Sequence, residues 1–469
     1  MNTYSQVVDR LRASFRSGVT VPEPFRRSQL IQLISLIKDN EQQIFKALHK
    51  DLAKPMFETV LSEVDIVINE LHNAITNLSS WMQPQYVSKN VATMVDDAFV
   101  RREPLGVVLI IGGWNYPLQL ILIPLVAAIA AGNCVVIKPS EVSAATDSLV
   151  AELLPKYLSQ DCYAVVSGGA TETTTLLENR FDYIFYTGSA TVARNILRAA
   201  AVHLTPVTLE LGGKCPCFIS DGVDMAAAAR RLVWAKFFNA GQSCVAPDYV
   251  ICSAATRDAL LPEVCQTLED FYGKEPQKCP DMSRIVSPRH WTRLMQLLRS
   301  TGGKVVVGGE SSEEDKYFAP TVVVDVDEDD ALMKEEIFGP ILPILTVETL
   351  EDAIELMNRQ EKPLALYVFS DESSVVMTVL EKTSSGGFCS NDGMVHMTLP
   401  GLPFGGVGAS GWGSYHGYWG FETFSHRRGC LLRGWALERL NTLRYPPYND
   451  TKLSWLRWTA STKSSCSIL

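Results

Sequence analysis

The chain has 469 residues, 46% hydrophobic and 20% charged, a composition that fits a globular α/β protein of two or three domains and excludes a disordered or fibrous one. With 42 Lys and Arg against 52 Asp and Glu, the net charge of −10 argues against nucleic acid as a partner, because phosphate contact needs a basic surface. Its 11 cysteines, odd in number and without CxxC pairs, read as reduced thiols of a cytoplasmic protein rather than a disulfide framework, and its 7 histidines form no ligand-spaced cluster, so no metal is expected.

The first ninety or so residues read as helical. Leu61, Val64, Ile68, Leu71, Ile75 and Leu78 alternate steps of three and four, which predicts one helix with a single apolar stripe. No charge falls between Glu103 and Lys138, a span long enough for a bilayer. Glycines, prolines and Asn115 interrupt the run, however, and its halves read as a strand, Val107 to Ile111, and a helix, Leu118 to Ala131, closed by Gly132. Short strands then alternate with helices: Cys134 to Ile137, Ala164 to Val166, Tyr183 to Tyr186 and Val207 to Leu211, the pattern of a parallel sheet covered on both faces. A second series follows the Gly212-Gly213 break, near Cys217 to Ile219, Asp248 to Cys252, Leu342 to Val347, Leu364 to Phe369 and Gly387 to Ser390, which places a domain boundary close to residue 211. After Leu399 the chain becomes rich in Gly and aromatic residues, a composition for loops and close backbone contacts.

Four turns carry candidate chemistry. Asn115 follows the strand Val107 to Ile111 in Gly-Gly-Trp-Asn-Tyr-Pro, where its amide can donate to a developing oxyanion or merely satisfy its own turn. The strand ending at Tyr186 leads through Thr187 to Gly188 and Ser189 at a helix start, a cradle for pyrophosphate whose spacing is not GxGxxG. Glu210 ends a strand beside Gly212-Gly213, where ligand crevices form in α/β sheets, or is a solvated turn carboxylate. Cys244 closes Phe-Asn-Ala-Gly-Gln-Ser-Cys, a flexible turn at a helix end where backbone amides can stabilise a thiolate; a lone cysteine also reads as a small buried hydrophobe. The last four residues, Cys466-Ser467-Ile468-Leu469, match a prenylation box whose terminal Leu favours geranylgeranyl. Trp455 and Trp458, interspersed with Lys452, Arg457 and Lys463, read as an interfacial segment or as a tail packed on the body or a partner subunit.

Taken together, GWNYP at Trp114, IKPSE at Lys138, LELGGK at Glu210, FNAGQSC at Cys244, EEIFGP from Glu335 and LPFGGVGASG at Leu402 resemble the signature set of the aldehyde dehydrogenase superfamily, in that family's order from about residue 100 to 420. The HLTPVTLELGGK stretch, the short N-terminus and the terminal cysteine box are similar to class 3 members, in particular the lipid-anchored B-type fatty aldehyde dehydrogenases. The resemblance implies a Rossmann-like cofactor domain (1–83 and 101–210), an α/β catalytic domain (211–408), a bridging element (84–100 and 409–440) that makes a homodimer, and a tail (441–469) lipidated at Cys466. It implies NAD, with NADP open, contacted by Trp114, Lys138, Glu141, Gly188, Ser189, Val192, Ala193, Glu336 and Phe338. Cys244 is then the nucleophile, Asn115 the oxyanion donor and Glu210 the base that activates water. Medium- or long-chain aliphatic aldehydes are the expected substrates, and the cytosolic face of a membrane or a lipid droplet the expected location. Capture of the thioester by coenzyme A, or an idle site on a membrane-surface protein, are the alternatives. The chain departs from the family pattern at Ala193, usually Gly, at Gly112-Gly113, commonly Ala-Pro, and at Cys215, often Asn.

Overall fold

A computed structural model describes residues 3–435 and 438–460. Two mostly parallel sheets form the body. The first orders its strands as Gly411–Trp412, Val207–Glu210, Tyr183–Thr187, Val107–Ile111, Cys134–Lys138 and Tyr163–Val165, all parallel except the first, which runs antiparallel to Val207–Glu210. The second orders Lys304–Val307, Thr321–Val324, Ile341–Thr346, Tyr249–Cys252, Pro216–Ile219, Ala365–Phe369 and Gly387–Ser390, antiparallel only at its first pair. A third, antiparallel sheet joins Gln85–Tyr86, Asp97–Pro104 and Ser425–Leu432.

The uncharged run resolves into the buried strand Val107–Ile111 and the helix Gln119–Ala131, in which every residue is buried. A helix apolar on all sides must be enclosed on all sides; this one lies between the first sheet and the N-terminal helices Glu23–Asp39 and Asp65–Trp81. Gly132 ends it at φ 93, and the buried Arg26 donates to Ala130 O at 2.8 Å, satisfying a carbonyl of its last turn. Among the described residues no helix is long and apolar enough to cross a membrane.

Two expectations need correction. The apolar stripe from Leu61 to Leu78 does not run along one regular α-helix, because Val60–Val64 forms a π-turn between Met56–Thr59 and Asp65–Trp81. The wider turn rotates the face: Leu61 is exposed, Val67 and Ala74 are buried, and Glu63 points inward with none of its surface accessible. The Gly-rich stretch after residue 409 does not serve the bridging sheet throughout. Gly411–Trp412 pairs with Val207–Glu210, and Gly417–Thr423 packs on the central helix, so only Ser425–Leu432 joins the third sheet.

The inward turn of Glu63 creates a buried ion pair with Lys54 at 2.6 Å. Glu63 Oε2 also accepts from the backbone N–H groups of Leu118 and Gln119 at 3.1 and 2.9 Å, at the start of the central helix, and Lys54 Nζ donates to Asn115 O at 3.1 Å. Lys54→Met leaves a carboxylate buried without its cation and should destabilise the protein by about 3–5 kcal/mol, measured by denaturant unfolding. Lys54→Met with Glu63→Gln, which removes the charge and keeps an acceptor, should recover much of that loss.

Candidate active site

The first sheet presents the carboxyl ends of its strands to a cleft. After Val107–Ile111 the next strands in sequence go to one side, and Tyr183–Thr187 then returns to the other, so strand order reverses there and the ends diverge. A groove of about 960 Å³ opens at that point, lined by Trp114, Lys138, Glu141, Gly188, Ser189 and Val192 among others. It continues into a pocket of about 300 Å³ lined by Trp114, Asn115, Glu210, Cys244, Glu336 and Phe338; Gly113, Trp114, Thr187, Gly188 and Ser189 border both spaces. The three residues with expected catalytic roles thus share one wall space with the residues expected to hold the nicotinamide end of a cofactor. Ala193 does not belong to it: its methyl is buried in the core beneath the helix Ala190–His203 and lines neither space, so the departure from Gly there alters packing rather than the groove. Cys466 lies outside the described residues.

Each reactive side chain is fixed by long-range contacts. Asn115 donates from Nδ2 to Gln242 O at 3.1 Å, while its own carbonyl accepts from Lys54 Nζ and from Asn239 Nδ2, the latter at 2.9 Å. The paired glycines before Trp114 therefore do not leave the turn loose. Gly112 lies so close to the central helix that a Cβ would come within 2.3 Å of Ile121 Cγ2, and the turn's rigidity comes from Lys54 and Asn239. The segment before Cys244 turns sharply through Asn239, Ala240 and Gly241, all at positive φ, and a Cβ at Gly241 would meet Gly339 O at 2.4 Å. That close approach packs the cysteine turn against the Glu336–Phe338 turn. Glu58 accepts from Asn239 N at 3.0 Å, Gln242 bonds Arg284 O and Val286 N, and Cys215 Sγ donates to Cys244 O at 3.3 Å.

Burial governs the electrostatics. Cys244 has a thiol pKa pushed well up by desolvation, with Glu336 and Glu210 adding to the rise and the backbone N–H groups of Cys244 and Val245 opposing it. The amides foreseen beside the thiol are present, but they do not outweigh the loss of water. Glu210 is also raised by burial, and neither carboxylate oxygen has a hydrogen-bond partner. Burial, then the charge of Asp248, pushes Glu336 up to about 8, although the Gly213 N–H and Lys214 favour its anion. Two carboxyl groups and a thiol thus face one pocket, all biased by burial towards their neutral forms.

The groove fits a dinucleotide. Gly188 lines it, and packs so closely on the Tyr186 hydroxyl that a Cβ would come within 2.3 Å of it. Ser189 caps the helix Ala190–His203 by accepting from Val192 N, leaving that helix's N-terminus facing the groove. Thr187 Oγ1 is buried without a partner on the same wall. Lys138 and Glu141, expected at the adenine ribose, form an ion pair at 2.7 Å. Trp114 packs edge-on against Phe338 at 5.2 Å and His290 at 4.8 Å, where the groove meets the pocket. Among the described residues no group of His, Cys, Asp and Glu could hold a metal.

Sequence reading missed a whole wall. The helix Pro288–Ser300 lines the groove with Arg289, His290, Thr292, Arg293 and Gln296. Arg293 grips the Glu335–Phe338 turn, donating to Glu335 Oε1, Glu336 O and Ile337 O. The Ser-Pro start of that helix is legible in sequence, with Ser287 accepting from His290 N; the face it shows to the first sheet is not.

Comparison with known proteins places this geometry. The sequence model of the aldehyde dehydrogenase family matches residues 2–429. The chain is 53% identical to aldehyde dehydrogenase family 3 member B1 of Homo sapiens over 470 aligned residues, covering 100% of both chains. It is 49% identical to family 3 member A2 of Rattus norvegicus, over 96% of this chain and 92% of that one. The fold superposes on the substrate-bound AldH of Staphylococcus aureus with a TM-score of 0.95 at 39% identity, covering 97% and 99% of the two chains.

A carboxyl raised by folding holds its proton in the native state while the unfolded chain has lost it, so it stabilises fully below the unfolded pKa and loses that contribution as pH rises through the folded value. For Glu336 that window runs from the ordinary carboxylate value to about 8. Glu336→Gln should therefore gain thermal stability over the parent as pH rises from about 5 to about 8, by at most about 1.4 kcal/mol per pH unit, in melts across that range.

Proposed function

The chain belongs to the aldehyde dehydrogenase family of NAD(P)-dependent enzymes that oxidise aldehydes to carboxylic acids, and from that premise we propose that it does so through a thioester on Cys244, acting on medium- and long-chain aliphatic aldehydes with NAD. The observation that carries this reading is the single pocket in which Cys244, Asn115, Glu210, Glu336 and Phe338 meet at the end of a dinucleotide-sized groove.

Cys244 Sγ attacks the aldehyde carbon as its proton passes to a base. With a thiol held above its ordinary pKa, that base is needed at the moment of attack, and Glu210 on the same pocket wall accepts the proton. The oxyanion is held by the Asn115 Nδ2 hydrogen not engaged with Gln242 O and by the Cys244 backbone N–H. When bound, NAD(P) supplies the acceptor for the hydride that leaves the same carbon, with Glu336 and Phe338 setting the ribose and ring and Trp114 closing the junction. Loss of hydride converts the thiohemiacetal to a thioester. Glu210, without hydrogen-bond partners, first gives up the thiol's proton to solvent along the groove and then takes a proton from water, whose oxygen displaces the Cys244 thiolate and releases the acid. The Glu141 carboxylate, paired with Lys138 at the ribose end, disfavours a 2′-phosphate and supports NAD over NADP.

The chain-length preference follows from location. Cys466 in the prenylation box provides a lipid anchor, and Trp455 and Trp458, an exposed edge-to-face pair on the helix Asp450–Ala460, provide the second contact that one lipid chain needs. The protein then sits on the cytosolic face of a membrane or on lipid droplets, beside lipid-derived aldehydes. A homodimer forms through the bridging sheet, whose strand Ser425–Leu432 has a free edge among the described residues.

Cys244→Ser should abolish NADH production with an unchanged melting curve, and Asn115→Ala should slow it roughly 10² to 10³-fold; wild-type rates in either would remove the assigned role. In the parent, thioester hydrolysis should accelerate as pH rises through the elevated Glu210 range, and Glu210→Gln should slow both the single-turnover burst of NADH and hydrolysis and lose that dependence. Cys466→Ser should move the protein from the membrane to the soluble fraction, and kcat/KM should climb from short to long aldehydes.

A further inference from the structure

Four cationic or potentially cationic side chains line the groove: Lys138, Arg289, His290 and Arg293. Three of them are engaged or neutral. Lys138 Nζ pairs with Glu141 at 2.7 Å and donates to Pro139 O at 2.8 Å. Arg293 divides its guanidinium among Glu335 Oε1, Glu336 O and Ile337 O. The His290 ring is fixed against Trp114 and by a 2.8 Å bond between its Nδ1 and Ser287 Oγ, and burial, reinforced by the charges of Arg293 and Arg289, lowers its pKa to about 4. It carries no charge at neutral pH.

Arg289 differs from all three. It lines the groove and has no ion-pair partner among the described residues. It is exposed, so its fork is free to turn towards a ligand in the groove. Its position is nevertheless set: the helix Pro288–Ser300 is held to the cysteine turn, because Gln242 accepts from Val286 N at 3.0 Å and donates to Arg284 O at 2.9 Å just before the helix begins. The opposite wall offers the N-terminus of the helix Ala190–His203 and the Thr187 and Ser189 hydroxyls, and its one cation, Lys138, is paired with Glu141. A pyrophosphate bound there has backbone N–H groups and hydroxyls on one side and needs a full positive charge from the other.

We infer that Arg289 binds the pyrophosphate of the dinucleotide from the catalytic-domain side, so that the cofactor is clamped between the helix Ala190–His203 of one unit and the helix Pro288–Ser300 of the other. The inference rests on the groove being the NAD(P) site. A planar guanidinium presents parallel donors to two phosphate oxygens, a geometry a lysine approximates only as a point charge. The clamp also couples cofactor binding to the cysteine turn, since one helix carries Arg289 and, through Gln242, abuts the segment that ends at Cys244.

Calorimetric titration of the full-length protein with NAD⁺ and separately with NADP⁺, no aldehyde present, tests this directly. Arg289→Ala should weaken both cofactors by roughly tenfold, the loss of one charge-assisted contact at a partly exposed site. Arg289→Lys should recover to within roughly threefold of the parent, and the salt dependence of NAD⁺ affinity should be shallower in Arg289→Ala than in the parent. Because the side chain is exposed and unpaired, the melting temperature of the free protein should not move. Unaltered NAD⁺ affinity in Arg289→Ala overturns the inference and leaves the groove assignment standing. Weakening confined to NADP⁺ also overturns it, placing Arg289 at a 2′-phosphate instead. If the parent binds neither cofactor, the groove assignment falls and the inference with it.

Discussion

A buried ammonium–carboxylate pair, Lys54 with Glu63, sits where the N-terminal helices, the first sheet and the cysteine turn come together. Its two charges are not left to one another. Glu63 takes up two backbone N–H groups at the start of the central helix, and Lys54 reaches the carbonyl of Asn115, which also accepts from Asn239 on the way to Cys244. One peptide carbonyl thus links the proposed oxyanion donor from the first unit to the segment that carries the proposed nucleophile from the second. Burying these charges is costly, and replacing such a pair by apolar groups is often neutral for stability. Its use here is to fix position: hydrogen bonds are directional where apolar contacts are not, and Asn115 has to point one way.

The groups around the pocket are buried, and their burial explains the direction of each shift. Water is the main stabiliser of a thiolate or a carboxylate, so withdrawing it favours the neutral thiol and acid at Cys244, Glu210 and Glu336 together. At Cys244 the nearby Glu336 and Glu210 carboxylates act in the same direction as burial. An arrangement of this kind favours the protonated Cys244 thiol in the free protein. The same desolvation strengthens the pull of the Asn115 amide on a developing oxyanion.

The groove is built by two units that meet only through tertiary contacts. The first supplies strand ends, a helix N-terminus and the Lys138–Glu141 pair; the second supplies the Glu336–Phe338 turn, held by Arg293, and the helix Pro288–Ser300. Gly241 against Gly339 brings the cysteine turn and the nicotinamide-side turn into van der Waals contact, a closeness that any side chain would break. Of the departures from the family pattern, Gly112 is required by its packing on the central helix, Ala193 fills core space, and Cys215 hydrogen-bonds the Cys244 carbonyl.

The sequence by itself determined what depends on neighbours along the chain. Short continuous apolar runs and Gly-rich breaks located ten strands to within a residue or so, and the same breaks put Asn115, Glu210 and the Gly188-Ser189 pair at strand ends, because a turn must follow where a buried strand stops. Strands that only pairing defines escaped, among them Lys304–Val307 and Thr321–Val324, short valine runs held by each other and by Ile341–Thr346, and the strands of the third sheet. Tertiary structure alone decided the rest. It made the π-turn that draws Glu63 inward against Lys54, returned Gly411–Trp412 to the first sheet, turned Arg289 and Arg293 towards a groove whose other wall lies far back in the chain, and raised the Cys244 pKa where local amides alone would have lowered it. Local sequence specifies backbone conformation; burial and electrostatics depend on which distant segments arrive, and those are set only when the whole chain has packed.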